Sequence, residues 1–257
     1  MTPKSKQELI NQILNGLSGL EELDSKTRQD LLESEGWIIE TLYDPIPELM
    51  DRLKDYFDWS NGKHQEDAGQ LLEEIAYLLF KSLKGTGNIR SYQSYAAQHD
   101  LIVDGASLMW QVLMIYLHLG REGRTIVIEC KNQESSISDQ QFSRLCGLLQ
   151  NKFEKTSELG VFISHTPASG FPKKKTKERQ LKDARATQAL FHAKSNKFVV
   201  VIDHKDLELI SNGFPLPKIL EAKIREIEAS TLMELSFNEN WQEVILPPHL
   251  KKYADEN

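Results

Sequence analysis

A chain of 257 residues that is 40% hydrophobic and 8% aromatic carries enough apolar matter for a core, which excludes wholesale disorder. At about 150 residues per domain, that length predicts one domain with appendages or two small ones. Its 31 Lys and Arg against 38 Asp and Glu leave a net charge of −7, which on its face argues against a nucleic-acid partner.

The opening Met1-Thr2-Pro3-Lys4-Ser5-Lys6 has no apolar segment behind it, so no secretory signal is expected. Residues 1–62 read as an acidic helical region. Leu9, Ile10, Ile13, Leu14 and Leu17 form one stripe at helical spacing, and a second helix is predicted over 47–57, with Pro47 in the tolerated first turn. The run Asp58-Trp59-Ser60-Asn61-Gly62-Lys63 is a turn and a boundary. A longer helix follows over 66–84. Leu71, Leu72, Ile75, Leu78, Leu79 and Leu83 share its apolar face, and Gly85 supplies the stop. Glu73 and Glu74 flank that face equally, so periodicity does not choose between them. Strands are predicted over 89–97 and 101–103. Segment 112–119 reads as a further strand, with a short helix as the alternative.

After the turn Gly120-Arg121-Glu122-Gly123, residues 125–131 carry Ile126-Val127-Ile128, apolar on both faces as a central strand requires. Ser138 opens a helix in which Phe142, Leu145, Cys146, Leu149 and Phe153 keep helical spacing. Buried-type strands over 160–164 and 197–202 bracket a helix over 180–191. A last helix over 217–229 leads into a polar tail containing Phe237 and Trp241, residues suited to docking on the body or on a partner. No apolar run reaches the ~18 residues of a membrane span. Two cysteines build neither a disulfide framework nor a zinc cage, which suits a reducing cytoplasm. The expectation is a soluble, cytoplasmic α/β protein with a mixed central sheet flanked by helices. It divides into an N-terminal helical region (1–62), an α/β body (63–212) and a C-terminal helix and tail (213–257).

The strongest chemical feature is Ile128-Glu129-Cys130-Lys131-Asn132, at the end of the central strand. Side chains alternate along a strand, so Glu129 and Lys131 share one face and Cys130 takes the other, where its thiol is a core group rather than a nucleophile. A carboxylate and an ammonium ending an apolar strand are costly to bury unless they pair or hold a metal. Asp100 heads the strand Leu101-Ile102-Val103, which can neighbour the Glu129 strand; Asp104, on a turn-like Asp104-Gly105, competes for the same role. An Asp and a Glu from adjacent strands offer hard oxygens to Mg²⁺, with the Cys130 carbonyl and waters completing an octahedron. Such an ion activates water and offsets charge on a phosphate, and Lys131 beside it suits the oxyanion. The seven histidines show no ligand spacing, and His99 and His165 at strand ends read as surface or hydrogen-bonded groups. Trp110, with Met109 and Met114, reads as core or an interaction face.

Glu73 in its long helix, Asp100-Leu101-Ile102-Val103, Glu129-Cys130-Lys131, a helix with Gln141, and Gly160-Val161-Phe162-Ile163-Ser164 follow one another in that order. Together they resemble the PD-(D/E)XK nuclease superfamily, closest to its Mrr-like restriction endonuclease branch, over residues 66–212. The resemblance implies a restriction-endonuclease-like αβββαβ core and a Mg²⁺-dependent DNA endonuclease in which Mn²⁺ can substitute, working in restriction or antiviral defence. By position it makes Asp100 and Glu129 metal ligands, Lys131 the catalytic lysine, Glu73 an outer acid and Gln141 a helix glutamine near the active site. Ser138-Asp139-Gln140-Gln141 equally fits a capping box. The chain departs from the family pattern in having His99, not proline, before Asp100, and in the long gap from Asp100 to Glu129.

One basic stretch stands out from the acidic body. Lys173, Lys174, Lys175, Lys177, Arg179, Lys182 and Arg185, against Glu178 and Asp183, give it +5 and leave the remainder at −12. In the family this loop and helix lie beside the substrate groove, which makes these residues candidates for DNA-backbone contacts that position without reading sequence. The alternative from the binding class is a catalytically silent nucleic-acid-binding or scaffold subunit of a larger complex, with the N-terminal helices or the tail as self-association or partner surfaces.

Overall fold

Three β-branched residues in a row, Ile126-Val127-Ile128, lie in the middle strand of a five-stranded sheet. The computed structural model describes residues 37–56, 62–94, 97–120, 125–169 and 184–235, with backbone alone at 62–65, 92–94, 97–100 and 230–235. In chain order the elements are α1 (Glu40–Tyr43), α2 (Ile46–Lys54), α3 (Gly62–Lys81), β1 (Ile89–Ser94), β2 (Ala97–Asp104) and α4 (Leu108–Tyr116). They continue with β3 (Thr125–Lys131), α5 (Asp139–Asn151), β4 (Ser157–Ser164), α6 (Ala184–Ser195), β5 (Phe198–Ile202), α7 (His204–Ser211) and α8 (Leu216–Leu235). The stripe near residue 10, Phe237 and Trp241, and Lys173 to Lys182 of the basic stretch fall outside the described residues.

The strands lie in sequence order, β1-β2-β3-β4-β5. β1, β2 and β3 are antiparallel neighbours, whereas β3, β4 and β5 run parallel. Parallel neighbours need crossovers, and α5 and α6 supply them between β3 and β4 and between β4 and β5. The sheet is therefore mixed and flanked by helices, as its element order predicts.

Alternation along the strands sorts the apolar residues into two clusters. Ile126 and Ile128 of β3, Val161 and Ile163 of β4, and Val200 and Ile202 of β5 join Leu72, Ile75 and Leu79 of α3 in the larger one. Ile46, Leu49, Met50 and Leu53 of α2 and Leu220 and Ile224 of α8 complete it. Val127, Phe162, Val199 and Val201 face the other way, onto Phe142, Leu145 and Leu149 of α5 and Phe191 of α6. Each fully buried large aliphatic contributes roughly 1.5–3 kcal/mol over its exposed state. α3 therefore covers one face of β3 and α5 the opposite one.

The segment read first as a further strand is a helix. α4 begins at Ser107, whose hydroxyl accepts the Trp110 backbone N–H at 3.2 Å. Its buried residues Trp110, Leu113, Met114 and Leu117 fall at i, i+3, i+4 and i+7, a helical stripe that outweighs the β-branched Val112 and Ile115. Gly85 takes φ +101° four residues past the end of α3, the left-handed stop its sequence position suggests. A Cβ on Gly105 would stand 2.3 Å from the Trp110 ring, so the turn after β2 needs glycine to seat that indole. Among the described residues no helix is long and apolar enough to cross a membrane.

Candidate functional site

β3 runs apolar until its last three residues and then turns ionic. Glu129 is fully buried and Lys131 is only 6% exposed. The parity argument holds: both stand on the α5 face with Val127, and Cys130 packs against the larger core on the other. Lys131 Nζ lies 2.7 Å from Glu129 Oε1. A second cation reaches the same oxygen, the guanidinium of Arg144 from α5, through its NH2 group. Glu129 Oε2, equally buried, has no hydrogen-bond partner among the described residues. A buried carboxylate oxygen without a donor is costly, and a bound cation removes that cost.

Asp100 is the register partner of Glu129. Directly opposed residues of an antiparallel pair lie on one face with Cα atoms roughly 4.5–5.5 Å apart. Position 100 thus shares the face of Glu129, while the Asp100 side chain itself lies outside the described residues. The β2–β3 register ends at this pair, and beyond it β2 pairs only with β1, through Ala97 and Ser94. Cys130 and Lys131 continue alongside Ile163 and Ser164 of β4. The strands thus part company at the ionic end of β3.

Register separates the two candidate acids. Asp104 opposes Thr125 at the far end of the ladder, four positions from Asp100, or roughly 13 Å along the strand. There it binds Arg90 at 3.0 Å and accepts the Asn88 N–H at 3.0 Å. Of the two helix acids, Glu73 is half-buried and Glu74 exposed. α3 covers the face opposite Glu129, where its Leu72, Ile75 and Leu79 meet Ile126 and Ile128 of β3. Gln141 is held in the capping box: its Oε1 accepts the Ser138 N–H at 2.9 Å, and its Nε2 donates to Gln133 Oε1 at 2.8 Å. The described bonds of Gln141 thus go to the cap and Gln133, and those of Glu129 to Arg144 and Lys131. Arg185, the one described member of the basic stretch, lies in α6 and faces Glu226 at 3.4 Å.

Sequence reasoning missed Arg144. Its signal was a lone arginine three residues past Gln141 and beside the buried stripe of Phe142, Leu145, Cys146 and Leu149, a place where a charge needs a partner. A second missed cation, Lys197, is structural. Its ammonium donates to four carbonyls, of Leu149, Phe153, Glu154 and Ser157, at 3.0, 3.2, 2.7 and 2.8 Å.

The loop after β3 is tied to the one after β4, which forms a wall at this end of the sheet. Thr166 Oγ1 donates to the Ser135 carbonyl at 2.8 Å, and the Ser169 N–H donates to the Ile137 carbonyl at 2.9 Å. Ser169 also receives the Ala184 N–H at 3.0 Å, so the two anchors of segment 170–183 meet here. Beside them His165 and His204 contact edge to face, with ring centroids 5.1 Å apart. Burial, and then the neighbouring His204, lower the His165 pKa, with Asp203 opposing. Burial lifts the Cys146 thiol to about 12, which leaves it an inert core group.

Among the described residues no cluster of three or more His, Cys, Asp or Glu is placed to hold a metal; the Asp100 carboxyl stands outside that statement. The donor chemistry still fits a hard divalent cation, through the orphaned Glu129 Oε2, an aspartate at the adjoining register position and a strand-end carbonyl at Cys130. Comparison with protein-family models, curated proteins and solved structures finds no match to this chain.

Proposed function

We propose that the chain is a Mg²⁺-dependent nuclease that hydrolyses DNA phosphodiester bonds, on an αβββαβ core of the PD-(D/E)XK, Mrr-like restriction endonuclease kind. A restriction or defence role follows from that resemblance. One observation carries the reading. A fully buried Glu129 keeps Lys131 at 2.7 Å on one oxygen, leaves its other oxygen without a donor, and has an aspartate as its register partner. Burying such a charge without need is expensive, since a hydrophobic pair of similar volume would serve the fold as well.

Glu129 Oε2 and Asp100 would hold the cation, with the Cys130 carbonyl as a further oxygen donor. When bound, the cation supplies Lewis acidity toward water and a phosphate oxygen. Lys131 stabilises negative charge developing on the phosphate, and its bond to Glu129 fixes where the ammonium sits, so little reorganisation is needed in the reaction. The basic stretch supports DNA as substrate because its two anchors, Ser169 and Ala184, meet at the sheet end that carries Lys131. Phosphate contacts from there would position the duplex.

Purified protein incubated with double- and single-stranded DNA tests this. Cleavage is expected with Mg²⁺ or Mn²⁺, none with EDTA, and a loss of at least about 100-fold in Asp100→Asn and Lys131→Gln variants whose melting shows them folded. Wild type that never cleaves, or cleavage that survives both substitutions, refutes it. The silent nucleic-acid-binding or scaffold reading is favoured by one feature: Glu129 already holds two cations, as a purely structural triad does. Salt-dependent DNA binding without metal-dependent turnover would support it.

A further inference from the structure

Glu129 takes both of its cations on one oxygen, Oε1, and leaves Oε2 without a partner among the described residues. The two cations are not equivalent. Lys131 follows on the same strand and is 7% exposed, so its ammonium has little room to leave. Arg144 comes from α5, and its side chain is 34% exposed. Water reaches part of that guanidinium although its Nε is buried, and guanidinium is more weakly hydrated than ammonium, which lets it sit against a buried carboxylate.

We propose that Arg144 is the resident counter-cation of the site: it neutralises Glu129 in the metal-free protein and competes with any divalent cation taken up by Glu129 and Asp100. The inference rests on the metal-dependent reading and adds an antagonist to it. Without metal, a buried Glu129 needs compensating charge, and Arg144 joins Lys131 in supplying it. A divalent cation brings that charge itself and leaves Arg144 with a like-charged neighbour at close range. By linkage, whatever Arg144 adds to the metal-free fold it takes from metal affinity. Released from Glu129, the guanidinium remains at the exposed edge of the site, where its planar fork matches a phosphate. A plain structural ion pair predicts the opposite, because removing it would loosen Glu129 and weaken metal binding.

The test is Mn²⁺ titration by calorimetry on the full chain, together with thermal melts, for wild type, Arg144→Gln, Arg144→Lys and Asp100→Asn. Arg144→Gln is expected to melt lower than wild type without metal, to bind Mn²⁺ about tenfold tighter, and to gain more in Tm on adding it. Arg144→Lys should shift the same way by a smaller factor, because an ammonium lacks the fork. Wild-type binding that Asp100→Asn weakens, with Arg144→Gln equal or weaker, overturns the inference and leaves the nuclease reading standing. Absence of Asp100-dependent Mn²⁺ binding in every variant overturns both. Should Arg144→Gln fail to fold, Arg144→Lys decides alone, and an affinity equal to or weaker than that of wild type overturns the inference.

Discussion

Replacing Glu129 with Gln removes one negative charge and almost no volume. The carboxylate is fully buried, and two cations share its Oε1, one of them at 2.7 Å. Removing one member of a buried pair costs about 3–5 kcal/mol, because the penalty falls on the charge left behind. That charge is chiefly Lys131, at 7% exposure; Arg144, one-third exposed, can turn to solvent and adds less. Relief comes from the orphaned Oε2, since an amide nitrogen there is less costly without a partner than an anionic oxygen. The expected net loss is about 2–4 kcal/mol, a large share of the 5–15 kcal/mol typical of a folded domain. Urea unfolding followed by tryptophan fluorescence should show a lower midpoint at unchanged slope. The double variant Glu129→Gln/Lys131→Met should recover at least about 1 kcal/mol of the summed single losses, because both partners are then neutral. A Glu129→Gln loss below about 1 kcal/mol, or strict additivity in the double variant, would refute the premise that Glu129 is a buried anion sustained by its cations. The same cost bears on Lys131→Gln, which is why its nuclease assay is read only on protein that melting shows to be folded.

Other parts of the fold make their own demands. Lys197→Met strips a donor from four carbonyls at the end of α5 and the start of β4, and should cost about 2–4 kcal/mol in the same urea assay; a loss under about 0.5 kcal/mol would contradict the staple. His165, its pKa lowered by burial and by His204, binds fewer protons folded than unfolded at pH values between that lowered pKa and about 6.5. Stability should therefore fall as pH drops below about 6.5, with this residue contributing at most about 1.4 kcal/mol per pH unit. His165→Gln should flatten the decline between pH 7.5 and 5.5, and parallel curves for the two proteins would count against it.

What the sequence made legible followed from periodicity. The triple Ile126-Val127-Ile128 after a turn read as a strand covered on both faces, and period two then put Glu129 and Lys131 on one face and Cys130 on the other. Tertiary pairing was not legible. Nothing local distinguishes Asp100 from Asp104, two acids of one strand on one face; only the register with β3 puts the first at the ionic end and the second beside Thr125. Glu73 and Gln141 were named by resemblance of position, and what the sequence could not show was the packing around them: α3 covers the face opposite Glu129, and Gln141 sits in the capping box that Ser138-Asp139-Gln140-Gln141 also suggested. Segment 112–119 misled because short apolar runs satisfy both periods, and the deciding signals, the Ser107 cap and the Trp110 seat over Gly105, lay just upstream. Arg144 escaped because its partner is fifteen residues away on another element.

The placement of charge argues for a site more strongly than its composition does. Glu129 and Lys131 could be replaced, for the fold's sake, by apolar residues continuing β3, as Val201 and Ile202 continue β5 in the same sheet, and Arg144 would then have no carboxylate to meet. The chain instead buries an acid where the β2–β3 register stops, next to an aspartate position and a loop wall stitched by Thr166 and Ser169. At such an end, strand-edge groups no longer committed to the ladder are free to meet a ligand, and the carboxyl ends of parallel strands are where open α/β sheets bind them. The triad carries one more positive charge than negative, so a divalent cation would gain a place there by displacing one of its cations, and Arg144, one-third exposed against 7% for Lys131, is the one with water in reach.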